Sequence, residues 1–200
     1  MDSVTAFILV GGGSSRMGTD KSRLQLGNRS FTEQIADTAS SVAASVMVVG
    51  RATDYFGLKS VPDIFKGLGT LGGIHTALAT CPTEWSLILA CDLPFVTADL
   101  LKRLTGLRPG FEAVAPLQPN GYLQPLCALY RVEPCLERTE TLIKSGERRP
   151  LALFDSVKTR LVTFEELTDL TGAEHFFDNI NTPEDYLVAT AKGGDPAAKG

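Results

Sequence analysis

The sequence lacks an excess of basic charge: 19 Lys and Arg stand against 23 Asp and Glu, a net charge of −4 over 200 residues. Non-specific nucleic-acid binding draws on a positive surface, so no nucleic-acid partner is expected. It also lacks a long apolar run. None approaches the roughly eighteen residues that a membrane helix needs, and no membrane association is expected. The opening, Met1-Asp2-Ser3-Val4-Thr5, carries an acid where a signal peptide has basic residues, so a cytoplasmic location is expected. Histidine is scarce, at two, and the four cysteines (Cys81, Cys91, Cys127 and Cys135) follow no C-x-x-C spacing. Without closely paired ligands a structural zinc site is not expected, and the thiols read as small reduced hydrophobes. Internal repeats, low-complexity blocks and an inter-domain linker are missing as well. The length suits one continuous core, giving a single domain over 1–191 and a small, polar, flexible tail over 192–200.

Three short apolar runs are present: Ala6-Phe7-Ile8-Leu9-Val10, Val46-Met47-Val48-Val49 and Leu87-Ile88-Leu89-Ala90-Cys91. They are continuous rather than alternating, the pattern of parallel strands covered on both faces. Helix signals lie between and after them. Ser30-Phe31-Thr32-Glu33 fits a capping box. Thr70 to Thr80 carries Leu71, Ile74, Ala77 and Leu78 at helical spacing, and Thr97-Ala98-Asp99 offers a cap followed by an acid. Alternating strand and helix predicts a three-layer α/β/α, Rossmann-like nucleotide-binding fold with a mostly parallel sheet. In the second half, 112–116 and 123–130 read as strands around a Pro119-Asn120-Gly121 turn. A helix is predicted from Pro134 to about Ser145, ended by Gly146, and another start at Thr182-Pro183-Glu184-Asp185.

In such a sheet, ligands sit outside the carboxyl ends of the strands, so the loops there carry the chemistry. The first is Gly11-Gly12-Gly13-Ser14-Ser15-Arg16-Met17-Gly18-Thr19-Asp20-Lys21. Its glycines let backbone amides approach an anion, and Arg16 and Lys21 can neutralise phosphate. It is not a P-loop, which needs G-K-[ST]. It is not the dinucleotide fingerprint either, because Arg16 stands where that motif needs its third glycine.

Leu9-Val10-Gly11-Gly12, Ser15-Arg16-Met17-Gly18 and Asp20-Lys21 resemble the L-x-G-G-x-S-x-R-M-G-x-D-K signature of nucleotidyltransferases, specifically the molybdenum cofactor guanylyltransferases. Four further segments resemble that family in order: Gly69-Thr70-Leu71-Gly72-Gly73-Ile74, Ala90-Cys91-Asp92-Leu93-Pro94-Phe95, Gln124-Pro125-Leu126-Cys127-Ala128-Leu129-Tyr130 and Asn179-Ile180-Asn181-Thr182-Pro183-Glu184. The resemblance implies an enzyme that transfers GMP from GTP to the terminal phosphate of molybdopterin (the molybdenum cofactor), with Mg²⁺, releasing pyrophosphate. It implies that Leu9, Val10, Gly11 and Gly12 contact the guanine, that Arg16 and Lys21 hold the triphosphate, and that Asp63 lies near the nucleotide. Asp92 would bind Mg²⁺, and Asn179 and Asn181 would lie toward the pterin. Transient contacts with cofactor-delivering and cofactor-accepting proteins follow from such a role. The chain departs from the family at Gly50-Arg51, where many members carry Asn, and at Val10 and Thr70, where Ala and Pro are usual.

The residue types fit that chemistry. Attack by a phosphate oxygen on an α-phosphorus needs alignment and charge neutralisation rather than a covalent nucleophile. A strand-end Asp92 suits a metal held by one or two carboxylates and substrate phosphates; its structural alternative is a cap of the next helix, for which Thr97 already serves. The alternative for Lys21 is a solvated surface lysine, for Asp63 a turn residue, and for Asn179 and Asn181 turn formers. His75 and His175 read as packing or surface residues, and Arg148-Arg149 as a solvated pair with a phosphate-binding alternative. Rival functions are a cytidylyltransferase for the same cofactor, a sugar-phosphate nucleotidyltransferase, and a silent nucleotide-binding module. The Gly11-Gly12 pair, in place of the A-G that ends the L-A-A-G of the cytidylyltransferases, leaves room for a purine and favours guanine.

Overall fold

The three continuous apolar runs form the middle of one sheet in the computed structural model, which describes residues 3–10, 25–26, 28–50, 55–180, 182 and 185–187. In chain order the elements are β1 (Val4–Leu9), a short antiparallel pair β2 (Gln25–Leu26) and β3 (Arg29–Ser30), α1 (Phe31–Ser40), β4 (Ser45–Val49) and β5 (Lys59–Val61). There follow α2 (Gly69–Thr80), β6 (Trp85–Ala90), α3 (Ala98–Gly106), β7 (Ala113–Pro116) and β8 (Cys127–Arg131). The chain continues through α4 (Val132–Lys144), α5 (Leu151–Ser156) and β9 (Thr159–Val162), then short 3₁₀ turns at Phe164–Leu167 and Ala173–His175.

The seven-stranded sheet has the order β5-β4-β1-β6-β8-β7-β9. Its pairings are parallel except those that β8 makes with β6 and β7. β1 and β6 are buried at every position, which explains their unbroken hydrophobicity: helices cover both faces. Ala6 and Ile8 point into a core shared with Ile35 and Ala39 of α1 and Leu100, Leu101 and Leu104 of α3. Phe7 and Leu9 point the other way, against Ile74, Ala77 and Leu78 of α2, Cys135 of α4, and Leu153 and Phe154 of α5. This is the expected three-layer arrangement, with α1 and α3 on one face and α2, α4 and α5 on the other.

Local signals work as the side chains dictate. Ser30 Oγ accepts the Glu33 amide at 3.2 Å while the Glu33 carboxylate accepts the Ser30 N–H at 2.8 Å, so the capping box closes α1 at its start. Thr97 accepts the Leu100 amide and caps α3. Thr182 and Asp185 bond reciprocally, Thr182 N–H to the Asp185 carboxylate and Asp185 N–H to the Thr182 hydroxyl, as a helix start requires. Two boundaries differ from expectation. The helix placed at Pro134 starts at Val132, with the proline inside its first turn, where a missing N–H costs nothing. The strand placed from Leu123 starts only at Cys127, because Gln124 and Pro125 turn the chain: Gln124 N–H donates to the Pro116 carbonyl and its own Oε1 accepts the Leu126 amide. The tail over 192–200 lies outside the described residues.

Candidate active site

From β1 the chain moves outward to β4 and β5, then returns through α2 to β6 on the other flank of β1. Strand order therefore reverses between β1 and β6, and the carboxyl edge at that junction is where an open α/β sheet binds its ligand. Leu9 pairs in register with Ala90 and with Val49, and Val10 N–H extends the ladder to the Val49 carbonyl at 2.9 Å. Three segments thus end together: Leu9-Val10, Val49-Gly50 and Ala90-Cys91-Asp92. Gly50 lies at φ +107°, a backbone that side chains rarely adopt.

Asp92 is half-buried directly after β6. Leu93 and Val96 behind it are fully or nearly buried, so the turn that presents it is anchored in the core. The α3 cap is Thr97, and the structural alternative for Asp92 as that cap does not apply. Ile180 N–H donates to the Asp92 carbonyl at 3.1 Å, which brings the segment bearing exposed Asn179 to the same loop. Ile180 itself is buried beside Phe31, with Phe95 and Tyr186 packed around them. Asn179 therefore lies on the Asp92 side of the edge; it is not in a strand.

Asp63 follows β5, whose end is fixed by Gly50 N–H donating to the Val61 carbonyl at 3.0 Å. It is half-buried, and that burial pushes its carboxyl above the ordinary aspartate range. Because β5, β4, β1 and β6 are parallel neighbours, Asp63 and Asp92 project from the same edge of the sheet.

α2 opens on this edge too, and sequence reasoning missed what it contributes. Its N-cap, Leu68, supplies no side-chain hydrogen bond and its first turn holds no acid. Among the described residues no side chain caps its first amides, which lie with the positive end of the dipole at this edge; α4 and α5 are likewise uncapped, whereas α1 and α3 have side-chain caps. The signal was partial: Leu68-Gly69 holds no Ser, Thr, Asp or Asn, but Thr70, which falls inside the first turn, reads from sequence as a cap. The glycines behind it permit close packing. A Cβ on Gly73 would stand 3.0 Å from Leu9 Cδ1, and one on Gly72 would stand 2.7 Å from Leu68 Cβ.

The basic pair Arg148-Arg149 follows α4 and is engaged by its neighbour. Arg149 grips the Glu147 carboxylate through Nε and Nη2, the latter at 2.7 Å, and the backbone amides of Arg148 and Arg149 donate to it as well. Chiefly through the Arg149 guanidinium, Glu147 is held down at about 2. His175, read from sequence as a packing or surface residue, is partly buried and partnered: Nδ1 lies 2.9 Å from the Asp178 carboxylate and the ring faces Phe95. His75 is buried on α2, with Nε2 3.9 Å from Glu140 and its ring against Phe65. A groove of about 710 Å³, lined by Trp85, Arg108, Phe111 and Arg131 among others, opens where β6 begins, at the opposite edge of the sheet from Asp92. Gly11, Gly12, Arg16, Lys21, Arg51 and Asn181 lie outside the described residues.

A family model described as a MobA-like NTP transferase domain matches residues 6–160. The probable molybdenum cofactor guanylyltransferase of Pelotomaculum thermopropionicum is 32% identical, over 94% of this chain and 93% of that protein. The molybdenum cofactor guanylyltransferase of Desulfosudis oleivorans is 33% identical, over 96% of each. Among solved structures, molybdopterin-guanine dinucleotide biosynthesis protein A of Archaeoglobus fulgidus superposes with a TM-score of 0.79 at 26% identity, covering 94% of this chain and 97% of that one. The 2-C-methyl-D-erythritol 4-phosphate cytidylyltransferase of Thermus thermophilus, at 20% identity and a TM-score of 0.71 over 96% and 98%, shares the fold. No helix of the described residues is long and apolar enough to cross a membrane. With these matches running nearly end to end, the chain belongs to the MobA-like NTP transferases, among the molybdenum cofactor guanylyltransferases.

Proposed function

We propose that this chain transfers GMP from GTP to the terminal phosphate of molybdopterin, or of its molybdenum-loaded form, giving molybdopterin guanine dinucleotide and pyrophosphate. The observation that carries the reading is Asp92: a half-buried carboxylate after a wholly buried strand, at the edge where strand order reverses, in a chain of this family. A phosphate oxygen of molybdopterin attacks the α-phosphorus of GTP. The bond from that phosphorus to the bridging oxygen breaks, and pyrophosphate leaves with the electron pair.

The protein's part is alignment and charge neutralisation. Leu9, Val10, Gly11 and Gly12 would receive the guanine, Arg16 and Lys21 the triphosphate, and the uncapped start of α2 further negative charge. Asp63 would meet the nucleotide, and Asn179 and Asn181 the pterin side. The donor set fits magnesium. Asp92 offers one carboxylate, and among the described residues no cluster of three or more His, Cys, Asp or Glu side chains is present, whereas this ion is bound through one or two carboxylates plus substrate phosphates. When bound, it would stabilise the charge that builds on the phosphate oxygens. The four cysteines, none of them in a disulfide, suit a reducing compartment, and we place the enzyme in the cytoplasm, in transient contact with the proteins that deliver and accept the cofactor.

The test is Asp92→Asn, which keeps the side-chain volume and removes the charge. GMP transfer should fall by about 100-fold or more while the melting temperature holds. Near-full transfer by that variant would remove Asp92 from the mechanism.

A further inference from the structure

Asp63 sits in a loop that is poorly anchored by its own side chains. Ile64 and Phe65, the next two residues, are 49% and 42% exposed, so hydrophobic burial does not fix the backbone there. One face of α2 touches the loop. Ile64 N–H donates to Thr76 Oγ1 at 3.0 Å, and that hydroxyl donates in turn to the Gly72 carbonyl at 3.0 Å. The Phe65 ring lies against His75, centroids 4.8 Å apart and tilted by 56°. The bare Cα of Gly72 accommodates the Phe65 carbonyl, which a Cβ would approach to 3.2 Å. Positions 72, 75 and 76 have the i, i+3, i+4 spacing of one helical face.

Thr76 does more than Thr38, Thr80 and Thr139 do. Thr38, Thr80 and Thr139 donate to the carbonyl four residues back, an ordinary way to satisfy a hydroxyl inside a helix. Thr76 does the same and also accepts from outside its helix. Donating to Gly72 fixes its hydroxyl rotor and leaves its lone pairs facing the loop. Thr76 is fully buried, so the Ile64 amide is held by an acceptor fixed in the core, at a bond that is itself partly buried.

We propose that Thr76, assisted by His75, is a positioning residue for GTP binding: it seats the 62–68 loop on α2 and so sets where the Asp63 carboxylate meets the nucleotide. The proposal rests on the reading of Asp63 as a nucleotide-binding carboxylate. Thr76 touches no substrate and acts through the amide one residue after Asp63.

The experiment measures the GTP dissociation constant with Mg²⁺ by calorimetry, alongside KM and kcat, for Thr76→Val, Thr76→Ser, Asp63→Asn and the Thr76→Val/Asp63→Asn pair. Thr76→Val keeps the shape and loses the acceptor. It should weaken GTP binding roughly tenfold, the scale of one buried hydrogen bond, through KM with kcat nearly unchanged. Thr76→Ser should restore binding to within about twofold of the parent. The double variant should bind no worse than Asp63→Asn alone, because Thr76 would have nothing left to position. If Asp63→Asn weakens binding and Thr76→Val does not, or if the two losses multiply, the positioning role is wrong while the role of Asp63 stands. If Asp63→Asn binds GTP like the parent, the reading of Asp63 fails and the proposal with it. Should Thr76→Val not fold, Phe65→Ala alters only a half-exposed ring. A threefold loss that vanishes in the Asp63→Asn background supports the seat, and no loss overturns it.

Discussion

Ile180 donates its backbone N–H to the carbonyl oxygen of Asp92 at 3.1 Å. Through that bond the segment carrying Asn179, which follows the last sheet strand by a long stretch of turns, closes over the loop proposed to hold the metal. The side chain of Ile180 supplies the grip: it is buried with Phe31, against Phe95 and Tyr186. The residues proposed for the acceptor side and for the nucleotide side are thereby joined across one short contact.

Ile180→Ala should therefore act on the acceptor more than on the nucleotide. Emptying this pocket costs about 2–4 kcal/mol of stability. The expected result is a KM for molybdopterin raised several times more than that for GTP, measured at a temperature where the variant is folded. Equal effects on both would detach Asn179 from the pterin side.

Two glycines in helices should respond oppositely to alanine. At Gly72 the new methyl meets Leu68 Cβ at 2.7 Å, whereas at Gly106, the last residue of α3, nothing lies within 4 Å. Overpacking should cost Gly72→Ala about 1–3 kcal/mol, partly offset by helix propensity. Gly106→Ala should gain up to about 1 kcal/mol. Thermal or urea unfolding of the two variants reads the difference in sign.

His75 gives stability a pH dependence with a definite direction. Burial holds its imidazole below the ordinary histidine value, only partly opposed by Glu140, so the folded protein prefers it neutral. As pH falls, the unfolded chain takes up this proton first. The contribution is therefore fully present above about pH 6.5 and is lost as pH drops toward the lower folded value. In urea titrations, the stability of the parent relative to His75→Gln should decline from pH 7 to pH 5. A difference that is flat or grows on acidification contradicts the assignment.

The thiols divide by burial. Burial pushes Cys127 and Cys135 each up to about 12, and both are inaccessible, while Cys81 and Cys91 are partly exposed. Iodoacetamide at pH 8 should alkylate Cys81 and Cys91 in the native protein and leave Cys127 and Cys135 unmodified until it unfolds, read by peptide mass mapping.

The central strands and the capped helices were legible because their causes are local. Unbroken apolar runs mark β1, β4 and β6, and Ser30 with Glu33, or Thr97 alone, marks a helix start. The edge strands β5 and β9 were not, since Lys59-Ser60-Val61 and Thr159-Arg160-Leu161-Val162 are half-exposed and carry no such run. The same division holds at the site. Leu9 and Val10 close one apolar run and Asp92 follows another, so the sequence pointed to their shared edge, whereas Asp63 follows the illegible β5 and came only from the family resemblance. The seat made by Thr76 and His75 is tertiary: nothing in Ile74-His75-Thr76 announces that Ile64 and Phe65 will lie against it or that α4 will bury the imidazole.

The measurement that bears most directly on the whole account is nucleotide transfer by the purified protein with Mg²⁺ and molybdenum-loaded molybdopterin, offered GTP and CTP separately. The account predicts formation of the guanine dinucleotide and pyrophosphate from GTP, with little product from CTP. Preference for CTP would contradict the guanine assignment of Gly11 and Gly12, and no transfer from either nucleotide by folded, GTP-binding protein would contradict the proposed reaction itself.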